Sequence, residues 1–157
     1  MQETPEPDKQ LAVEVLLKMY ETRYMLAKQA EDQRATMSNF LITIAAVMFA
    51  FISQQGFSRK TIIISFLTIL LGLFGLFMSA KYSQHYIKND RVARSIRNRI
   101  SQLCPEAQLR EIEHKALDES AQQSLFFSKV PTLYLWSTLH VSICLIGALC
   151  ILLALLQ

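Results

Sequence analysis

One ionisable side chain, His140, lies inside a long apolar stretch of this sequence. An ionisable group in apolar surroundings is costly unless it has a partner or a task, so it is a functional candidate by default. His140 also lies close enough to Pro131 along the chain to reach a polar interface. We expect a neutral imidazole hydrogen bonded to Ser137 or Asn39, and a functional role for His140 is the alternative.

A second candidate is a cluster of basic residues in which Asp90 is the only acidic side chain. Its members are Lys88, Arg91, Arg94, Arg97 and Arg99. Clustered cations can receive a phosphate-rich ligand such as a nucleotide or a short nucleic acid. The alternative is a solvated face that meets anionic lipid headgroups. We retain Lys88, Arg91, Arg94 and Arg97 as candidate ligand-binding residues.

The third pattern is a stripe of small or weakly polar residues on one face of each apolar stretch. One stripe contains Ser65, Thr68, Gly72, Gly75 and Ser79, and another contains Asn39, Thr43, Ala46, Ala50 and Ser53. The last contains Ser137, His140, Cys144, Gly147, Ile151 and Ala154. Small residues let helices approach closely, and an average spacing of 3.5 favours left-handed packing. The stripes therefore predict either packing within one bundle or a pore between subunits, with Asn39 and Thr43 at a polar mouth.

Signatures of catalysis and of cofactor binding are absent from the sequence. It contains no glycine-rich phosphate loop, GxSxG or HExxH motif. The three cysteines, Cys104, Cys144 and Cys150, form no CxxC pair and predict neither a disulfide framework nor a zinc site. We therefore expect a protein that is not an enzyme and that carries no cofactor.

The candidate residues are positioned by three apolar runs, at 37–53, 61–80 and 133–156. A bilayer core needs about 20 apolar residues as a helix, and these runs are apolar nearly all round. The sequence predicts an all-α integral membrane protein with three transmembrane helices and cytoplasmic helical extensions. The expected divisions are a tail and helix at 1–36, a transmembrane hairpin at 37–80, a cytoplasmic segment at 81–132 and a third transmembrane helix at 133–157.

Turn and cap residues predict where these helices begin and end. Asp8 is a plausible N-cap, and the helix after it should run into the first apolar run without a break. Gly56 predicts a tight turn, while Cys104 and Pro105 should separate a long helix from one that reaches about Phe127. The chain should re-enter the membrane at 130–132.

Fourteen of the sixteen Lys and Arg residues lie before the first run or between the second and third, and only Arg59 and Lys60 lie in the short loop. Basic residues accumulate on the cytoplasmic side of membrane proteins. Both polar segments are therefore predicted to be cytoplasmic, with the N-terminus inside and the C-terminus outside.

The stretch Tyr20 to Phe40, YETRYMLAKQAEDQRATMSNF, runs directly into the first apolar run. This layout resembles the SLATT-type membrane effectors of bacterial conflict systems and, more loosely, the membrane effector of the Hailong antiviral system. The third run lies beyond the two-helix layout of that group. The resemblance implies a pore-forming effector of the bacterial inner membrane that is controlled by a nucleotide-type signal from a partner nucleotidyltransferase.

From these observations we expect a homo-oligomeric gated ion channel or pore in antiviral defence. The stripe of the first or second apolar run would line the pore, and the N-terminal helix and the basic cluster would receive the signal. The alternative is a non-conducting membrane anchor or regulatory interaction protein.

Overall fold

The structure, a computed structural model, describes residues 6–123 and 132–156, and these residues form helices joined by short connections without any strand. The helices are α1 (Glu6–Gln55), α2 (Ile62–Leu103), α3 (Leu109–Gln123) and α4 (Thr132–Leu156). Short 3-10 helices lie at Arg59–Thr61 and Pro105–Ala107. The all-α prediction is confirmed.

Helix α1 is a single helix of 50 residues, as expected from a sequence without glycine or proline after Pro7. It begins at Glu6, so Asp8 lies in the first turn and the prediction of Asp8 as the N-cap is wrong. Pro7 is tolerated there because the first amide groups of a helix have no partner within the helix. The predicted continuity of the polar helix with the first apolar run is confirmed.

The turn between α1 and α2 is held by Gly56 and Thr61. Gly56 has a φ of 70°, a left-handed conformation that glycine adopts without steric cost. The Thr61 hydroxyl donates to the Ser58 carbonyl at 2.8 Å and accepts from the Ser58 amide at 3.2 Å. These bonds reverse the chain within a few residues, so α1 and α2 run antiparallel.

Helix α2 ends at Leu103, and the predicted interruption at Cys104 and Pro105 is confirmed. Gln108, with a φ of 47°, precedes α3. The predicted end of α3 near Phe127 and the re-entry at 130–132 fall at least partly outside the described residues, as does the tail before Glu6.

The chain divides into two compact units. The polar unit comprises residues 1–30 and 84–130, and the apolar unit comprises 31–83 and 131–157. Three helices, α1, α2 and α4, are long and apolar enough to cross a bilayer. Their apolar segments lie in the apolar unit and build its core from their inner faces.

Candidate functional site

The predicted stripe of α2 lies on the inner face of the apolar unit. Its five residues, Ser65, Thr68, Gly72, Gly75 and Ser79, are all buried within the single chain. Glycines let α4 approach closely, because a Cβ built on Gly72 would lie 2.5 Å from Sγ of Cys144. A Cβ on Gly75 would lie 2.5 Å from Cε1 of His140. Within the single chain, the α2 stripe therefore packs against α4.

The predicted stripe of α4 faces the same interior. His140, Gly147 and Ala154 are buried, and the intervening members of the stripe are half-buried. A Cβ on Gly147 would lie 2.9 Å from Cγ1 of Ile69 and 3.1 Å from the carbonyl oxygen of Ser65. Glycines on both α2 and α4 therefore allow the close contact between these two helices.

The predicted stripe of α1 has the opposite placement. Asn39, Thr43, Ala46, Ala50 and Ser53 are all exposed, and we call this surface the α1 outer face. The face that packs within the chain contains Ser38, Leu41, Ala45 and Ile52. The spacing of small residues selected the outer face, whereas the inner face combines Ser38 and Ala45 with the larger side chains of Leu41 and Ile52. The α1 outer face borders a cleft of about 250 Å³ between α1 and α4, to which Ala46 contributes.

His140 joins the three helices of the apolar unit at one level. Its Nε2 lies 3.2 Å from Oγ of Ser38 on α1, and its ring packs against Gly75 on α2. The expected partners are wrong, because Asn39 points away from the interior and no bond joins His140 to Ser137 in the described part of the chain. The expectation of a hydrogen-bonded histidine was right, but the partner is Ser38.

The buried hydroxyl groups near the turn differ from the buried polar groups at the other end of the unit. Ser65 donates to the Thr61 carbonyl at 3.0 Å, and Thr68 donates to the Ile64 carbonyl at 2.9 Å. At the other end, three buried side-chain atoms have no hydrogen-bond partner among the described residues. These atoms are Nε of Arg34, Oγ of Ser79 and Nδ1 of His140.

Arg34 and Ser38 were not singled out by sequence reasoning. Both are buried on the inner face of α1, four residues apart. The signal was available in the spacing of Ala30, Arg34, Ser38 and Leu41, which places a charged residue within a small and apolar stripe. Counting Arg34 only among the basic residues before the first run obscured this position.

The basic cluster lies in the polar unit and is partly neutralised by carboxylates. Arg94 forms an ion pair with Asp90, and the hydrogen bond and charge of Asp90 raise the pKa of Arg94. Arg97 pairs at 2.6 Å with Glu113 and so links α2 to α3. Lys88 and Arg91 are exposed. The structure thus separates the four candidate ligand-binding residues into two paired arginines and two exposed cations.

Another polar contact in this unit joins α1 to α2. Nη1 of Arg23 donates to Oδ1 of Asn89 at 3.2 Å. Asn89 in turn donates to the carbonyl of His85 at 3.0 Å, which fixes its orientation. The arginine pairs thus position α1 and α3 against the α2 segment that carries the basic cluster.

No protein-family model, curated protein or solved structure matches this chain. Among the described residues, no group of three or more His, Cys, Asp or Glu side chains is arranged to hold a metal ion. The three cysteines are free thiols. The candidate sites are therefore the α1 outer face, the basic cluster and the buried polar groups around His140.

Proposed function

We propose that the protein is a bacterial inner-membrane protein with three transmembrane helices, assembled as a homo-oligomeric gated ion channel. The length and composition of α1, α2 and α4 support the three spans. The distribution of basic residues supports a cytoplasmic N-terminus, a cytoplasmic segment between α2 and α4, and an outer turn at Arg59 and Lys60.

The observation that carries this proposal is the exposure of the α1 outer face. The stripes of α2 and α4 are buried or half-buried within the chain, whereas Asn39 and Thr43 are exposed on the apolar segment of α1. The Thr43 hydroxyl donates to the backbone carbonyl of Asn39 at 2.9 Å. This bond satisfies the hydroxyl but not the side-chain amide of Asn39, which is exposed. Exposing a side-chain amide to acyl chains costs free energy. Water in a pore would hydrate this amide, and a second copy of the chain would provide a hydrogen-bond partner for it. We therefore assign the pore lining to the α1 outer face.

Control from the cytoplasm requires a signal that binds the open and closed states differently. The pair of Arg97 with Glu113 offers such a difference, because a phosphate group that takes Arg97 would displace the α3 carboxylate. The exposed cations Lys88 and Arg91 lie earlier on the same helix and in other directions, so they would raise the positive potential around the site without contacting the same phosphate group. We propose that a nucleotide-type ligand binds here and alters the attachment of α3.

A cysteine scan in liposomes tests the pore lining. In a background with Cys104, Cys144 and Cys150 replaced by Ser or Ala, cysteines at positions 39, 43, 46 and 50 should react with a charged thiol reagent. The bulky adduct should reduce ion flux severalfold, because these positions would line the conducting path.

Phe51→Cys is the matched control. Phe51 is 46% exposed, and the helical turn of about 100° per residue places it well to the side of the outer face, where lipid would cover it. Flux that stays the same after modification at all four outer-face positions, or that changes equally at position 51, would refute the assignment. The assay includes the proposed signal, since a closed channel conducts nothing.

A second candidate function is a non-conducting anchor or regulator of a cytoplasmic partner. It is favoured by large apolar side chains exposed in the polar unit, at Leu11 on α1 and at Ile112 and Leu117 on α3. Such residues mark surfaces that bind other proteins. Folded, oligomeric protein that passes no ions with or without the partner's product would favour this function over the channel.

The proposed biological setting is antiviral defence, with a partner nucleotidyltransferase that supplies the ligand. Its support is the resemblance around Tyr20 to Phe40. Growth arrest and dye uptake that require both the protein and the partner's product would support this setting. Dye uptake without the partner would separate the channel from its proposed control.

A further inference from the structure

Three unpartnered polar atoms gather at one end of the apolar unit. They belong to Arg34 on α1, Ser79 on α2 and His140 on α4, which are 5%, 2% and 0% exposed. Buried polar groups nearly always have hydrogen-bond partners, so each exception needs an explanation. The buried hydroxyls of Ser65 and Thr68, nearer the turn, have hydrogen-bond partners. Among the described residues, the buried polar atoms without partners therefore all lie at the other end.

Helix geometry places Arg34 and Ser79 on the same side of the residues that His140 contacts. His140 contacts Ser38 of α1 and Gly75 of α2. Arg34 lies four residues before Ser38, and Ser79 lies four residues after Gly75. Because α1 and α2 are antiparallel, going back four residues on α1 and forward four residues on α2 both lead away from the turn. Each displacement is about 6 Å, at 1.5 Å per residue. Arg34 and Ser79 therefore lie about one helical turn from the contacts of His140 with Ser38 and Gly75, on the same side of them.

The charge at this level is positive and poorly compensated. Nη2 of Arg34 lies 3.3 Å from Oε1 of Glu31 on the same helix, and the Glu31 side chain is 49% exposed. A well-paired guanidinium usually engages a carboxylate through two N–H groups, whereas Nε here has no partner. A buried cation needs an opposite charge or several acceptors.

The available groups at this level can all donate hydrogen bonds. Arg34 offers an N–H group and Ser79 a hydroxyl. His140 offers Nδ1–H in the tautomer whose Nε2 accepts from Ser38. Donor groups at this level outnumber the acceptors, because Glu31 is the only carboxylate that the described residues bring to Arg34, and an excess of donors beside a cation favours binding of an anion. Near-complete burial excludes a phosphate ester or lipid headgroup, which would need an opening to the surface.

We propose that Arg34, Ser79 and His140 bind a small monovalent inorganic anion, with chloride as the physiological candidate. The anion would accept from the guanidinium and the hydroxyl, with the imidazole as its third neighbour. It would tie α1 to α2 and α4 at the end of the unit that lies away from the turn. This site is independent of whether the protein conducts ions.

Thermal unfolding of the detergent-purified protein tests this inference. Chloride replaces gluconate at constant ionic strength and pH, and the unfolding temperature should rise by about 2–4 °C as chloride exceeds its dissociation constant severalfold. Chloride-35 NMR line broadening by the same sample gives a direct measure of binding.

Arg34→Gln should abolish the chloride dependence, and Ser79→Ala should weaken it. Ser65→Ala is the matched control, since its hydroxyl already donates to the Thr61 carbonyl. An unfolding temperature and linewidth that do not respond to chloride in the folded wild-type protein would overturn the proposal and indicate bound water instead. If Arg34→Gln does not fold, Ser79→Ala and the wild-type linewidth decide the question.

Discussion

His140 occupies space that exists because residue 75 has no side chain. The imidazole packs on the Gly75 backbone while Nε2 contacts Ser38, so one residue of α4 fixes its distance to both other helices. This arrangement makes the ring a structural link between three helices. Its stability contribution should therefore depend on the size of residue 75 as much as on the hydrogen bond.

Gly75→Ala should lower the free energy of unfolding by about 1–3 kcal/mol, because the added methyl group would overlap the His140 ring. Denaturation in mixed micelles measures the change. The same substitution in a His140→Ala background should cost clearly less, since the ring is then missing. Equal costs in the two backgrounds would contradict the described contact.

The sequence predicted part of this residue-level picture. A histidine in an apolar run had to be neutral and bonded, and that expectation named the correct region of α1. It missed Ser38 in favour of its neighbour Asn39, because adjacent residues of a helix differ by about 100° in direction. Only the position of α2 and α4 shows which of the two faces inward.

At the scale of elements, local signals determine where helices run, and contacts determine which face is buried. The turn at Gly56 and the interruption at Pro105 follow from backbone preferences of single residues. The stripes of α2 and α4 contain glycine, which marks the closest helix contacts. Helix α1 has no glycine, and its stripe of small residues lies on the face that does not pack within the chain.

Helix α3 is attached to α2 by an ion pair between side chains that are only partly exposed. Glu113→Gln should increase amide hydrogen exchange of α3 by up to about fivefold, since such pairs contribute at most about 1 kcal/mol. Exchange measured peptide by peptide would report this change. Glu111→Gln, an exposed neighbour, is the control. Unchanged exchange in Glu113→Gln would mean that the pair does not hold α3 in place.

At the scale of the whole molecule, the distribution of charge predicts how the chain crosses the membrane. The polar unit carries twelve of the sixteen Lys and Arg residues, the turn between α1 and α2 carries two, and Arg34 and Lys81 belong to the apolar unit. Composition can predict this orientation because it depends on sums over many residues rather than on single contacts. The assembly that we propose depends on surface detail, and that proposal rests on the exposed α1 outer face.

Labelling with a membrane-impermeant maleimide tests the orientation. In spheroplasts, Ser58→Cys should react from outside, whereas Cys104 should react only after permeabilisation. Cys144 and Cys150 lie within α4 and would be replaced by Ala to remove background. Reaction of Cys104 in intact spheroplasts would indicate the reversed orientation.

Three of the four glycines, Gly72, Gly75 and Gly147, lie in the contact between α2 and α4. Each is opposed by a specific neighbour, so a larger residue at one position would require a smaller one opposite. These positions should therefore change together during evolution, while apolar positions that face lipid should vary more freely. The pattern GxxG in α2 with HxxxCxxG in α4 is then a signature by which distant relatives could be found, even where overall identity has disappeared.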